Sequence, residues 1–149
     1  MIMTKVNPKN IDLLRINSET KNLKKVRNFI KQYSLENGFE EKSADEIVIA
    51  VDEACTNIIK HGLKYNKEEK LEIRVYIESN YFAIDIVDNS PSFDLRDFKN
   101  IELDSHLSEF KNNGLGIFMI KSYVDLIEYK RYENGSVKNT LTLKKHLPT

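Results

Sequence analysis

The stretch AVDEACTNIIKHG, residues 50–62, decides how this chain is read. It closes an apolar run, residues 47–59, that marks a heavily buried helix, yet it carries a carboxylate, a carboxamide and an imidazole near one face. Glu53 and Asn57 are spaced i,i+4 and lie one above the other, His61 falls one turn further along, and Gly62 is placed to end the helix. A proton acceptor then sits one turn from an oxygen able to hold Mg²⁺. Taken alone, the same spacing also describes a solvated helical face bearing unrelated polar groups.

Upstream, Ser43 with Glu46 three residues later forms a capping-box pattern for the start of this helix. An earlier helix is expected to run to about residue 36. Its apolar positions Leu23, Val26, Phe29, Ile30 and Tyr33 form one stripe, its other face carries Lys21, Lys24, Lys25, Arg27 and Lys31, and AsnGly at 37 and 38 stops it. Before it, residues 10–17 with Ile11, Leu13, Leu14 and Ile16 read as an edge strand, and Ser18 reads as the helix N-cap.

Downstream, Leu71, Ile73, Val75 and Ile77 alternate with polar residues, and Phe82, Ile84 and Ile86 repeat the pattern after a SerAsn turn. These two strands predict a hairpin, and the second runs into Asp88. Periodicity then fails over residues 94–113, a length of connection that inside a compact domain is usually functional. A helix over 117–124, opened by AsnAsnGlyLeuGly, precedes a strand over 126–132. AsnGly at 134 and 135 then turns the chain into a last strand over 137–144, with Leu141 and Leu143 on the buried face. Helices segregated from a mostly antiparallel, mixed sheet in this way predict an α+β fold, a two-layer α/β sandwich with the helices on one face.

Composition bounds the function. A chain of 149 residues is long enough for one domain with a real core, and residues 1–149 read as a single domain. Its formal net charge of +0 gives no electrostatic basis for binding nucleic acid. The single cysteine, Cys55, sits among small and apolar residues and reads as core, and no charged-then-apolar leader opens the sequence. A cytoplasmic setting is therefore expected, with no membrane partner, since no apolar run approaches the roughly 18 residues of a spanning helix.

Two further constellations carry chemistry. Asp88 ends a buried strand and is followed by turn residues, so its carboxylate can accept from an exocyclic amine such as that of adenine, although a capped turn has the same appearance. Gly114 and Gly116 flank Leu115 just before a helix, where backbone N–H groups and the helix end favour an anion, although two glycines can also merely shape a loop.

In this order, an ExxxN helix, a strand ending in Asp, a variable loop, GlyxGly opening a helix and a late strand carrying Thr, the chain resembles the GHKL (Bergerat-fold) ATP-binding domain. Within that superfamily it is most similar to the anti-sigma factor serine kinases of the RsbW type, regulators of bacterial stress response and sporulation. Residues 50–62 look like their N-box and residues 113–125 like their second glycine box, and the likeness runs from about Leu14 to Leu147. The resemblance implies an ATP- and Mg²⁺-dependent protein serine kinase that phosphorylates a small anti-anti-sigma (STAS-domain) protein and sequesters a sigma factor by partner switching. It implies that Asn57 ligates Mg²⁺, that Glu53 is the general base, and that His61 and Gly62 lie beside the nucleotide. Asp88 would accept from the adenine amine, Phe93 would pack near the base, and Gly114, Leu115 and Gly116 would place N–H groups on the phosphates. Thr140 would lie behind the adenine close to Asp88, and residues 94–113 would form the ATP lid, with Arg96, Lys99 and Lys111 as candidate phosphate contacts.

One departure stands out. The family usually shows AspxGly at its first glycine box, and here Ser90, followed by Pro91, takes the place of the glycine. A Cβ at Ser90 narrows the approach of a base, and Pro91 pushes Ser90 towards extended conformations, so weakened or repositioned adenine binding is expected. The alternative function is a non-catalytic regulator, with or without nucleotide, that only sequesters a protein partner. An isolated histidine-kinase catalytic domain and a stand-alone chaperone- or topoisomerase-type ATPase fit less well, because no upstream phospho-accepting histidine and no further domains are apparent. A homodimer through the N-terminal region is compatible with Leu13, Leu14 and Ile16 on the edge strand.

Overall fold

The computed structural model describes residues 10–91 and 115–149. In chain order these form β1 (Asp12–Asn17), α1 (Leu23–Glu36), α2 (Glu41–Asn57) continued by a π-helical turn (Ile58–Gly62), β2 (Lys70–Glu78), β3 (Tyr81–Asp88), α3 (Leu115–Tyr123), β4 (Leu126–Glu133) and β5 (Val137–His146). The strands make one sheet in the order β1-β2-β3-β5-β4. Every pairing among them is antiparallel, so the expected α+β sandwich is present while its sheet is not mixed among the described residues.

Strict alternation selects the buried face. Residues directly opposite in antiparallel strands share a face, and the register lines up Ile73, Ile86, Leu141 and Tyr129 in one row and Val75, Ile84, Leu143 and Ile127 in the next. These rows build the core with Val26 and Ile30 of α1, Ile47, Val51 and Cys55 of α2, and Ile120 of α3. Burying each large aliphatic side chain contributes about 1.5–3 kcal/mol. The opposite face is polar, and its one deeply buried acid, Asp85, accepts from Tyr76 Oη at 2.9 Å and Thr142 Oγ1 at 2.7 Å.

Helix α2 packs between α1 and α3. Its contact positions Ala44, Ala50, Ala54 and Cys55 are small and fully buried, which lets neighbouring backbones approach closely. Two of the basic residues of α1 are engaged inside this helix pair: Arg27 contacts Asp52 at 3.0 Å, and Lys31 contacts Asp45 at 2.5 Å and Glu41 at 2.9 Å.

Helix ends differ from expectation where packing outweighs capping. Ser18 caps nothing: its hydroxyl is buried without a partner, and a short 3₁₀ turn, Thr20–Asn22, leads into α1. Helix α2 starts at Glu41, ahead of Ser43, with no side-chain cap. At the end of α1, by contrast, AsnGly acts as expected. Phe39 N–H bonds Ser34 C=O, Gly38 N–H bonds Leu35 C=O, and Gly38 takes φ 92°, the paired closure of a left-handed cap.

Candidate nucleotide site

The site is built at one end of the sheet, where the helix-side row after Ile86, Leu141 and Tyr129 consists of Asp88, Asn139 and Arg131. Three polar residues thus continue the stripe that further down is the apolar core. Asp88 and Asn139 are buried. Asp88 Oδ1 accepts the Ser90 backbone N–H at 2.7 Å, an Asx turn, and the Asn139 side-chain amide at 3.1 Å. The same amide also donates to Ser90 C=O at 2.8 Å and approaches Ser90 Oγ at 3.3 Å. Arg131 completes the cluster, donating to Ser90 C=O at 3.0 Å, to Asn139 Oδ1 at 2.8 Å and to Pro91 C=O. The segment bearing Ser90 in place of glycine is therefore tied to the sheet, with Ser90 fully buried.

Thr140 is not part of this cluster. Its register partners are Val87 and Lys130, so it occupies the opposite face of the sheet from Asp88, among Arg74, Lys138 and Thr142. The side chain beside Asp88 is Asn139, one residue earlier. A separate cavity of about 440 Å³, lined by Arg15, Glu72, Arg74, Val87, Asn89 and Lys138, also reaches Asp88. Its β1, β2 and β5 lining lies on the polar sheet face, away from α2.

From the other side, the C-terminal half of α2 brings in the acid and the carboxamide. The Asn57 side chain is buried and its Nδ2 donates to the Glu53 carbonyl at 2.8 Å, which anchors the nitrogen end to the preceding turn of the helix and leaves the oxygen as the end suited to a cation. Thr56 makes the same backward bond to Asp52 C=O at 2.7 Å. Such bonds to the preceding turn strain a helix, and the ladder widens immediately afterwards: Leu63 N–H reaches Ile58 C=O, a π-type bond of the kind common at functional sites. The widened turn separates Asn57, which is buried, from His61, which is exposed. Gly62 is buried within the turn, and the left-handed residues that end it are Lys64 and Tyr65, with φ 51° and 61°.

The Glu53 carboxyl is pushed above the usual carboxylate range, first by partial burial and then by neighbouring Asp52, with Lys60 opposing. Between Glu53 and Asn57, the Cys55 thiol is pushed well up by burial and by the charges of Asp52 and Asp88, which places the end of β3 in electrostatic reach of α2. Cys55 is fully buried, as its small apolar neighbours imply.

Helix α3 is described over Leu115–Tyr123, so Leu115 and Gly116, expected to lie ahead of the helix, are already helical. Wherever a helix begins, the N–H groups of its first turn have no partner within the helix and suit an anion. At the far end of α3 Asp125 ties the box to the sheet, its Oδ2 accepting His146 N–H at 2.7 Å. Phe93, Gly114, the 94–113 segment and its Arg96, Lys99 and Lys111 lie outside the described residues, as does the side chain of Leu115.

With that geometry in hand, likeness to other proteins is informative. The sequence matches the histidine kinase-like ATPase domain over residues 16–145, and the chain belongs to that family, the GHKL class of the Bergerat fold. Within it the chain is similar to serine-protein kinases named RsbW. It is 28% identical over 109 residues to serine-protein kinase RsbW of Listeria innocua serovar 6a, covering 70% of this chain and 68% of that protein. It is 30% identical over 107 residues to serine-protein kinase RsbW of Bacillus thuringiensis strain Al Hakam, covering 69% of this chain and 66% of that protein. No helix among the described residues is long and apolar enough to cross a membrane.

Proposed function

We propose that this chain, acting as one ATP-binding domain, is an ATP- and Mg²⁺-dependent protein serine kinase and anti-sigma factor. Its substrate is a serine of an anti-anti-sigma STAS-domain protein, and it sequesters a sigma factor until partners are exchanged. The observation that carries the nucleotide reading is the buried carboxamide of Asn57, whose nitrogen is anchored to the Glu53 carbonyl and whose oxygen is the end suited to a cation. The kinase reading is supported by the relatives named serine-protein kinase RsbW.

The donor set fits Mg²⁺. Among the described residues no cluster of three or more His, Cys, Asp or Glu side chains could hold a metal by itself, and Mg²⁺ is commonly held by one or two protein oxygens together with phosphates and water. Asn57 would be that protein ligand. Bound Mg²⁺ would neutralise charge on the transferring phosphoryl group. The N–H groups of the first turn of α3 would cradle the phosphates, and Asp88 would receive the exocyclic amine of the base. Its Oδ1 is taken by Ser90 and Asn139, which makes Oδ2 the oxygen for that contact. Glu53 would take the proton of the serine hydroxyl as its oxygen bonds to the γ-phosphorus and the bond to the departing ADP oxygen breaks. A general base contributes on the order of 10²–10⁴-fold.

Calorimetry with Mg-ATP tests this reading against a module that only sequesters. Saturable heat is expected, and its absence, with no thermal shift at millimolar nucleotide, would favour sequestration alone. Strand β1 is a sheet edge that exposes Leu13, 47% accessible, and pairing of two copies there is part of the proposal.

A further inference from the structure

We infer that Arg131 is a positioning residue for nucleobase recognition, acting through Asn139 and the Ser90–Pro91 carbonyls to set the acceptor geometry of Asp88. This rests on the reading of Asp88 as the acceptor for a nucleobase amine.

The side chain of Asn139 is symmetrical in shape but not in chemistry, and either end could face Asp88. Arginine only donates. Its Nη1, 2.8 Å from Asn139 Oδ1, therefore fixes the oxygen end towards β4 and turns the nitrogen end, with its donors, towards Asp88 Oδ1 and the Ser90 carbonyl. The reversed amide would set an oxygen against a carboxylate and a carbonyl and a nitrogen against the guanidinium, with only the Ser90 hydroxyl able to donate to it.

The same guanidinium reaches the Ser90 and Pro91 carbonyls with both terminal nitrogens, the planar fork that lysine cannot reproduce. Glu133 holds the guanidinium from its far side, with Nε and Nη2 each 2.9 Å from Oε1. Pro91 has no N–H of its own, and Ser90 spends its N–H on Asp88, so this turn is tethered to the sheet by side chains rather than by ladder bonds. With the glycine absent, the position of the base-recognising carboxylate depends on that tether. Arg131 thus supplies by hydrogen bonding an organisation that a glycine turn would supply by backbone freedom.

The test uses the full chain and two nucleotides that differ at the purine 6-position, ATP with an amine and ITP with a carbonyl oxygen. Calorimetry with each Mg-nucleotide is run on the native chain, Arg131→Gln and Arg131→Lys, alongside hydrogen exchange at the Ser90 amide. The native chain is expected to prefer ATP by about tenfold or more, the scale of one hydrogen bond to a charged group. Arg131→Gln is expected to bring the two affinities within about twofold and to speed Ser90 exchange, with Arg131→Lys in between. A preference that survives in both variants, even with a lowered melting temperature, would reduce Arg131 to a stabilising role and overturn the inference while leaving the nucleobase reading intact. Equal binding of ATP and ITP by the native chain, or binding of neither, would overturn the nucleobase reading itself and the inference with it.

Discussion

Asn139 reaches from β5 to Asp88 at the end of β3, its side-chain nitrogen 3.1 Å from Oδ1. Because Thr140 is the next residue along a strand, it faces the other side of the sheet. The two positions are expected to behave oppositely. Asn139→Ala, which removes a buried donor to a carboxylate, is expected to weaken Mg-ATP binding about tenfold, whereas Thr140→Val should stay within about twofold of native. Titration calorimetry on the two variants checks this, and equal losses would place the base elsewhere.

The same alternation shows what was legible in the sequence and what was not. Leu71, Ile73, Val75 and Ile77, with Ile84 and Ile86 opposite, announced the sheet face because a period of two admits only one buried set. The ExxxN helix and the Asp88 strand end lie where the spacing implies, and the expected helix over 117–124 is present with Leu115 and Gly116 included in it. Thr140 was placed by likeness rather than by phase. Counting back by twos from Leu143 and Leu141 arrives at Asn139, and counting forward from Tyr129 arrives at Arg131, so the signal was present in the alternation. The helix start at Glu41 was hidden for another reason: capping patterns contribute about 1 kcal/mol and yield to packing. The π-helical turn after Asn57 leaves no mark in composition.

Glu53 is expected to separate binding from chemistry. Glu53→Ala should keep Mg-ATP affinity and lose phosphotransfer by on the order of 10²–10⁴-fold, while Asn57→Ala should lose Mg-ATP affinity itself. The raised carboxyl sets the sign of the pH dependence: a base works deprotonated, so transfer should fall as pH drops through a value above the ordinary carboxylate range. Initial rates across pH in native and Glu53→Ala proteins check this, the acidic limb belonging to the native protein alone.

Cys55 is expected to be inert in the folded state. Complete burial and the nearby acids hold its thiol protonated at neutral pH, and reaction with iodoacetamide then requires opening of the α2 packing. Labelling in native buffer should be at least about a hundredfold slower than in urea. Mass spectrometry over time reads the ratio, and comparable rates would show that α2 is not packed as described.

Gly38 takes φ 92° where α1 ends. A side chain is strained there, so Gly38→Ala should destabilise the fold by about 1 kcal/mol or more, although Pro148 leaves room for a Cβ at 3.9 Å. At Gly135, φ 78° between β4 and β5, the penalty should be similar, and nothing lies within 4 Å of the added Cβ. Urea unfolding of both variants separates backbone strain from crowding, because only strain is common to the two.

The decisive measurement is transfer of label from γ-labelled Mg-ATP to STAS-domain proteins of the same genome. Acid-stable phosphoserine is expected on one such protein with the native chain and is expected to be lost with Glu53→Ala. Transfer by Glu53→Ala at the native rate would contradict the role of Glu53, and no transfer to any of them despite Mg-ATP binding would contradict the kinase account.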